Sequence, residues 1–80
     1  MTREDVYKRV NKVFQEVFDD DSIEVHDETV AADIDAWDSF EHINLVVGIE
    51  TEFGFKFPMG KVLKMKNVGE MVDIVLELGK

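Results

Sequence analysis

An all-α bundle of four helices, three long and one short, is predicted for this 80-residue chain by three observations. Apolar residues recur at helical spacing in three separate segments, and each segment opens on a side chain able to cap a helix. The one alternating stretch, Phe55-Lys56-Phe57, runs straight into Pro58 and has no partner strand. No internal repeat or Gly/Ser linker marks a boundary, so a single domain over residues 1-80 is expected. A chain of this size buries about 60–65% of the surface its unfolded form exposes, too little for a second core.

Val6, Val10, Val13, Phe14 and Val17 stand at i, i+4, i+7, i+8 and i+11 and form one stripe of a first helix, from about Thr2 to Phe18 with Thr2 as its cap. A 20-residue connection, Asp19 to Asp38, follows. Loops of that length are uncommon inside compact domains, so Ile23, Val25, Val30 and Ile34 are expected to pin it to the bundle. Asp38 reads as the N-cap of a second helix, Ser39 to Phe53, with Glu41 as its reciprocal partner in a D-x-x-E variant of the capping box. Gly54 ends that helix in the left-handed conformation. Phe40, Ile43, Val46, Val47 and Phe53 suit one face of it, and Leu45 and Ile49 widen the stripe. A helix apolar over so much of its girth must be covered by several neighbours or offer part of its surface to a ligand. Phe55 to Phe57 reads as an extended link and Lys61 to Met65 as a short helical turn. Asn67-Val68-Gly69-Glu70 repeats the capping-box logic before a last helix, about Val68 to Leu78, whose apolar positions are Met71, Val72, Val75, Leu76 and Leu78.

Charge and composition exclude several classes. Eighteen acidic against nine basic residues leave a formal charge of −9, which repels nucleic acid. Nine of the acids lie between Asp19 and Asp38, where there is no Lys or Arg. Such a loop either stays solvated or offers a dock to a basic partner surface. Cysteine is absent, so disulfides and thiolate metal sites are excluded and any thiol chemistry must arrive on a prosthetic group. Charges stand where a signal peptide would place its apolar run, and no stretch approaches the ~20 apolar residues of a membrane span. A soluble cytoplasmic protein without a membrane partner is expected. The initiator methionine suggests a discrete chain, with excision from a larger synthase as the alternative.

Ser39 falls on the first residue of the second helix, where an acidic loop meets an amphipathic element. A phosphate ester there would sit beside unpaired amides and the positive end of the helix dipole, favourable to an anion by roughly 0.3–1 kcal/mol. The placement suggests a modification site. Ser39 and His42 are three apart and could touch, which raises a small hydrolase as an alternative. No glycine-flanked nucleophile turn or oxyanion hole supports it, and so small a bundle shelters little from water. His42 then reads as a surface residue whose charge modulates docking, and His26 as solvated. Asp19, Asp20, Asp21, Glu24 and Asp27 could gather a hard cation, but they lack the glycine and closing glutamate of an EF-hand loop, so no specific metal site is expected. Trp37 either packs on the bundle or serves as a partner contact.

Asp38-Ser39 followed by an apolar residue, an amphipathic helix and Glu50-Thr51-Glu52-Phe53-Gly54 closely resembles the acyl carrier proteins. The resemblance spans nearly the whole chain: first helix, long acidic loop, serine at the second helix, Phe57-Pro58 link, short helix, and Asn67-Val68-Gly69-Glu70 opening the last. It implies a non-catalytic carrier of acyl-carrier fold. Ser39 would be esterified by 4′-phosphopantetheine from coenzyme A, and acyl groups would ride on the terminal thiol as thioesters. A separate phosphopantetheinyl transferase would load the arm with the help of Mg²⁺, which the aspartate matching Asp38 helps to hold. Asp38 is thus expected to be both cap and transient Mg²⁺ contact, with no resident metal. Acyl-loading and acyl-transferring enzymes would meet Trp37, Phe40, Glu41, Asn44, Val47 and Glu50, and the protein would act as a monomer. Val46, Val47, Leu63, Met65 and Met71 are candidates to line a space for the cargo, or else are ordinary core. Phe40 stands where the family usually has Leu, Trp37 where it has a small residue, and Asn44 and Thr51 where fatty-acid carriers often have acids, while Lys61, Lys64 and Lys66 give the short helix a basic cast. These departures favour a specialised carrier, for polyketide-like, lipid-modifying or aminoacyl cargo, over a housekeeping role in fatty-acid synthesis. An unmodified adaptor with the carrier fold is the remaining alternative.

Overall fold

Each long helix opens on a polar side chain that takes up an amide of its first turn. In the computed structural model, which describes residues 2–58, 60 and 65–79, the helices are α1 (Arg3–Val17), α2 (Ser39–Phe53) and α3 (Val68–Leu78). Thr2 accepts from the Asp5 amide at 3.1 Å and Asp5 accepts in return from the Thr2 amide, a complete capping box. Asp38 accepts from the Glu41 amide at 2.8 Å and Asn67 from the Glu70 amide at 2.9 Å. Their reciprocal halves differ from expectation. Glu41 turns instead to the Asn44 side chain, and the Asp38 amide donates to the Ala36 carbonyl. Glu70 reaches one residue further back, to the Lys66 amide. In both cases the backbone before the cap already offers Glu or the cap amide another partner. Gly54 closes α2 at φ 69°, ψ 38°, with its amide on the Glu50 carbonyl, as its sequence position predicts.

α1 packs against both other helices. Its stripe is the predicted one, with Val6, Val10, Val13 and Phe14 buried and Val17 half-buried. On α2 the buried face is Leu45, Ile49 and Phe53. Of the residues that periodicity groups on one face, Phe40, Ile43 and Val47 are exposed at 73%, 64% and 54%, while Phe53 is buried. The helix is apolar around so much of its girth that spacing alone does not select the inward side; α1 does. On α3 the core positions are Val68, Met71, Val72, Ile74 and Val75, with Ile74 inside in place of Leu76.

The connection from α1 to α2 is tied down by polar bonds as well as by the expected apolar side chains. Val25 is buried and Ile23, Val30 and Ile34 are half-buried. Asn11 accepts from the Val25 amide, and Gln15 donates to the Ile23 carbonyl. Further on, the amides of Val68 and Gly69 donate to Thr29 and Asp27 carbonyls at 2.9 and 3.0 Å, so the loop also takes up donors at the start of α3. Arg3 bridges Asp27 and Asp73, and the Tyr7 hydroxyl donates to Asp27. That hydroxyl and then the Arg3 guanidinium hold the Asp27 carboxyl below its ordinary range. The loop also holds a 3-10 turn, Ala31–Asp33, in which Asp33 accepts from the Val30 amide. This is the fourth helical element among the described residues; the short turn expected over Lys61 to Met65 falls mostly on residues outside them. Phe55 to Phe57 is an extended link, as predicted, with Phe57 buried and its amide on Glu50 Oε2.

Candidate functional site

The residues around Ser39 come from four segments. The end of the long loop brings Trp37 and Asp38, and the 3-10 turn brings Ala31. The first turn of α2 brings Ser39, His42 and Ile43, and the chain into α3 brings Met65, Lys66, Asn67 and Met71. Together they line a cleft of about 680 Å³, predominantly apolar. Ser39 is exposed at its edge. The amides of Ser39 and Phe40 precede the first bond within α2 and meet no acceptor among the described residues, so donors and the positive helix end lie beside the hydroxyl. Lys66 adds a cation to the same lining.

Trp37 is half-buried and packs on the bundle, edge-on to Phe14 at 5.3 Å between ring centres and tilted against Phe18 at 6.3 Å. Its indole N–H donates to His42 Nδ1 at 3.1 Å, and the two rings are nearly parallel. His42 is therefore not the surface charge expected from its neighbours. It is half-buried, and burial pushes its pKa below the ordinary histidine value, which favours the neutral ring. Its Nδ1 is engaged by Trp37 rather than by Ser39, which removes the base from the Ser39/His42 pairing. Nothing in the sequence pattern pairs Trp37 with His42; the bond depends on Phe14 and Phe18 setting the indole against α2.

The remaining candidates divide. Met65 and Met71 line the cleft, half-buried and buried; Val46 is half-buried but lies outside the lining, and Leu63 falls outside the described residues. Val47 belongs to a separate shallow groove with Glu50, Thr51, Gly54, Phe55 and Lys56. Phe40 and Asn44 are exposed and Glu41 is half-buried on the outer side of α2, whereas Glu50 is drawn into the link through Phe57. His26 is exposed. Among the described residues no group of three or more His, Asp or Glu side chains could hold a metal ion, and no helix is long and apolar enough to cross a membrane.

Comparison with known proteins decides what this arrangement belongs to. No protein-family model matches the chain. An acyl carrier protein of Lactobacillus johnsonii is 30% identical over 76 residues, 94% of each chain. The chain belongs to the acyl carrier protein family. A second acyl carrier protein, from Thermotoga maritima, is 28% identical over 74 residues, 92% of this chain and 91% of that one. The solution structure of a holo acyl carrier protein from Geobacter metallireducens superposes with a TM-score of 0.84 at 46% identity, covering 90% of this chain and 83% of that one. As an acyl carrier protein the chain is a carrier acted on by enzymes and is not itself an enzyme. The Ser39/His42 geometry agrees, since the imidazole is committed to Trp37.

Proposed function

We propose that this acyl carrier protein bears its 4′-phosphopantetheine arm on Ser39 and delivers acyl groups from that arm to partner enzymes. The observation that carries the reading is an exposed hydroxyl on the first residue of α2, beside free amides and at the edge of an apolar cleft. The residues fit the group. The Ser39 and Phe40 amides and Lys66 suit a phosphodiester, and Met65 and Met71 suit an apolar cargo of variable shape, because methionine repacks readily. When attached, the arm supplies a thiol on which acyl groups are held as thioesters, in a chain without cysteine of its own. Its flexible tether raises the effective concentration of cargo at each docked active site, so affinity for any one partner can stay weak.

In this reading Asp38, exposed beside the serine, both caps α2 and contacts Mg²⁺ while a phosphopantetheinyl transferase loads the arm. Acyl-loading and acyl-transferring enzymes meet the outer side of α2 at Phe40, Glu41, Asn44 and Val47, with Trp37 at its root and Glu50 at its far end. Met65 and Met71 line the space for the cargo. The exposed apolar stripe Phe40, Ile43 and Val47, flanked by Asn44 and Thr51 instead of acids, supports a specialised carrier rather than a housekeeping one. The protein acts in the cytoplasm, as a monomer and a single domain.

Thiol titration tests the assignment. After incubation with coenzyme A, Mg²⁺ and a broad-specificity transferase, and removal of small molecules, the wild type should gain one reactive thiol per chain and Ser39→Ala none. A wild type that stays without thiol, while another carrier is loaded in the same tube, overturns it.

A further inference from the structure

One wall of the cleft beside Ser39 is built differently from the rest. Met65 and Met71 are unbranched, adaptable side chains. The same lining includes the indole of Trp37, held by three rings: edge-on by Phe14, tilted by Phe18, and parallel to His42. Its one polar atom is a donor only, and when half-buried it needs an acceptor. His42 Nδ1 supplies that acceptor at 3.1 Å, from the first turn of the helix that begins with Ser39. Both rings line the cleft. The charged groups on the same lining are Asp38 and Lys66, one of each sign; Glu41 is turned to Asn44. Phe14 of α1 and Phe18 at its C-terminal cap pack their rings on the indole, whose N–H donates to His42 Nδ1.

The geometry points to His42 as a positioning residue: by accepting the Trp37 indole N–H it fixes that ring as a rigid wall of the cleft, against which an acyl chain attached at Ser39 is packed and shielded. The cargo therefore adapts on the methionine side and meets a fixed surface on the tryptophan side. A single neutral hydrogen bond is enough to bias the ring between fixed and free by about twofold to tenfold. The part concerning cargo rests on Ser39 carrying the arm; the part concerning the ring does not.

The two parts are read separately. Trp37 is the chain's only tryptophan, so one indole N–H signal in a ¹H–¹⁵N spectrum of the unmodified protein reports it. His42→Asn keeps an acceptor near the position of Nδ1, and His42→Leu removes it at similar volume. Exchange of the indole proton with water should quicken about twofold to tenfold in His42→Leu and stay near wild type in His42→Asn. On octanoyl-loaded protein, cleavage of the thioester by hydroxylamine should quicken over the same range in His42→Leu, and again His42→Asn should restore protection. Trp37→Phe keeps a ring but removes the donor and, in the cleavage assay, should behave as His42→Leu. Unchanged indole exchange in a folded His42→Leu overturns the hydrogen-bonded wall. Altered exchange with unchanged cleavage overturns its role for the cargo while leaving the carrier assignment intact, since failure of that assignment appears earlier, as a wild type that does not load.

Discussion

Asp38 and Ser39 are neighbours with separable roles. The cap of α2 comes from the Asp38 carboxylate, and the Ser39 side chain is exposed. Ser39→Ala should therefore change unfolding free energy by no more than about 0.5 kcal/mol, whereas Asp38→Ala should cost about 0.5–2 kcal/mol in urea denaturation. Asp38→Asn separates the aspartate's two proposed tasks: asparagine caps as well, so stability should hold, while loading by the transferase slows if the carboxylate meets Mg²⁺ in that step. His42 adds a pH signature. Burial depresses its folded pKa below the unfolded value of about 6.5, so the unfolded chain binds more protons between those two values. Stability from this group is complete above pH ~6.5 and is lost as pH falls from there through the folded pKa. Denaturation midpoints should show wild type losing stability relative to His42→Asn between pH 7.5 and 5.5, above the range where the depressed carboxylates of Asp5, Asp20 and Asp27 begin to act. Equal losses in the two proteins would contradict the half-buried neutral imidazole.

Helix extents were legible from caps and breakers, because Thr2, Asp38 and Asn67 satisfy amides that must be satisfied and Gly54 takes a conformation few residues adopt without cost. The inward face of α2 was not, because seven apolar positions spread around it leave the choice to α1, whose Val13 and Phe14 lie in the same buried cluster as Leu45, Ile49 and Phe53. The assignment is testable: Leu45→Ala should cost about 2–5 kcal/mol, and Phe40→Ala, on the exposed side, no more than about 0.5 kcal/mol in the same urea titration. A similar contrast lies between α3 and the loop. A Cβ on Gly69 would stand 2.9 Å from the Asp27 carbonyl oxygen and 3.1 Å from its Cα, backbone atoms that cannot swing aside. Gly69→Ala should destabilise by about 1–3 kcal/mol and loosen the loop, seen as faster hydrogen exchange at the Val68 amide that donates to Thr29.

At the scale of the molecule, a long acidic connection is made to behave as a structural element. Asn11 and Gln15 hold its first half, Asp27 and Thr29 take the leading amides of α3, and Trp37 anchors its end on Phe14 and Phe18. These ties set Ser39 on the edge of a cleft shared by the loop, α2 and the start of α3. The serine and its cap could be read in the sequence because they are local; the Trp37 to His42 bond and the loop's polar ties could not, since each joins residues that only the packed helices bring together. In the proposed function the arrangement serves one hydroxyl. Besides Ser39 the chain has one other serine, Ser22, whose hydroxyl donates to Asp20 in the acidic loop. Fragmentation mass spectrometry of the loaded, intact chain therefore tests the account most directly: it should place a single phosphopantetheine on Ser39, and an arm found on Ser22, or no arm when a competent transferase and coenzyme A are present, would contradict it.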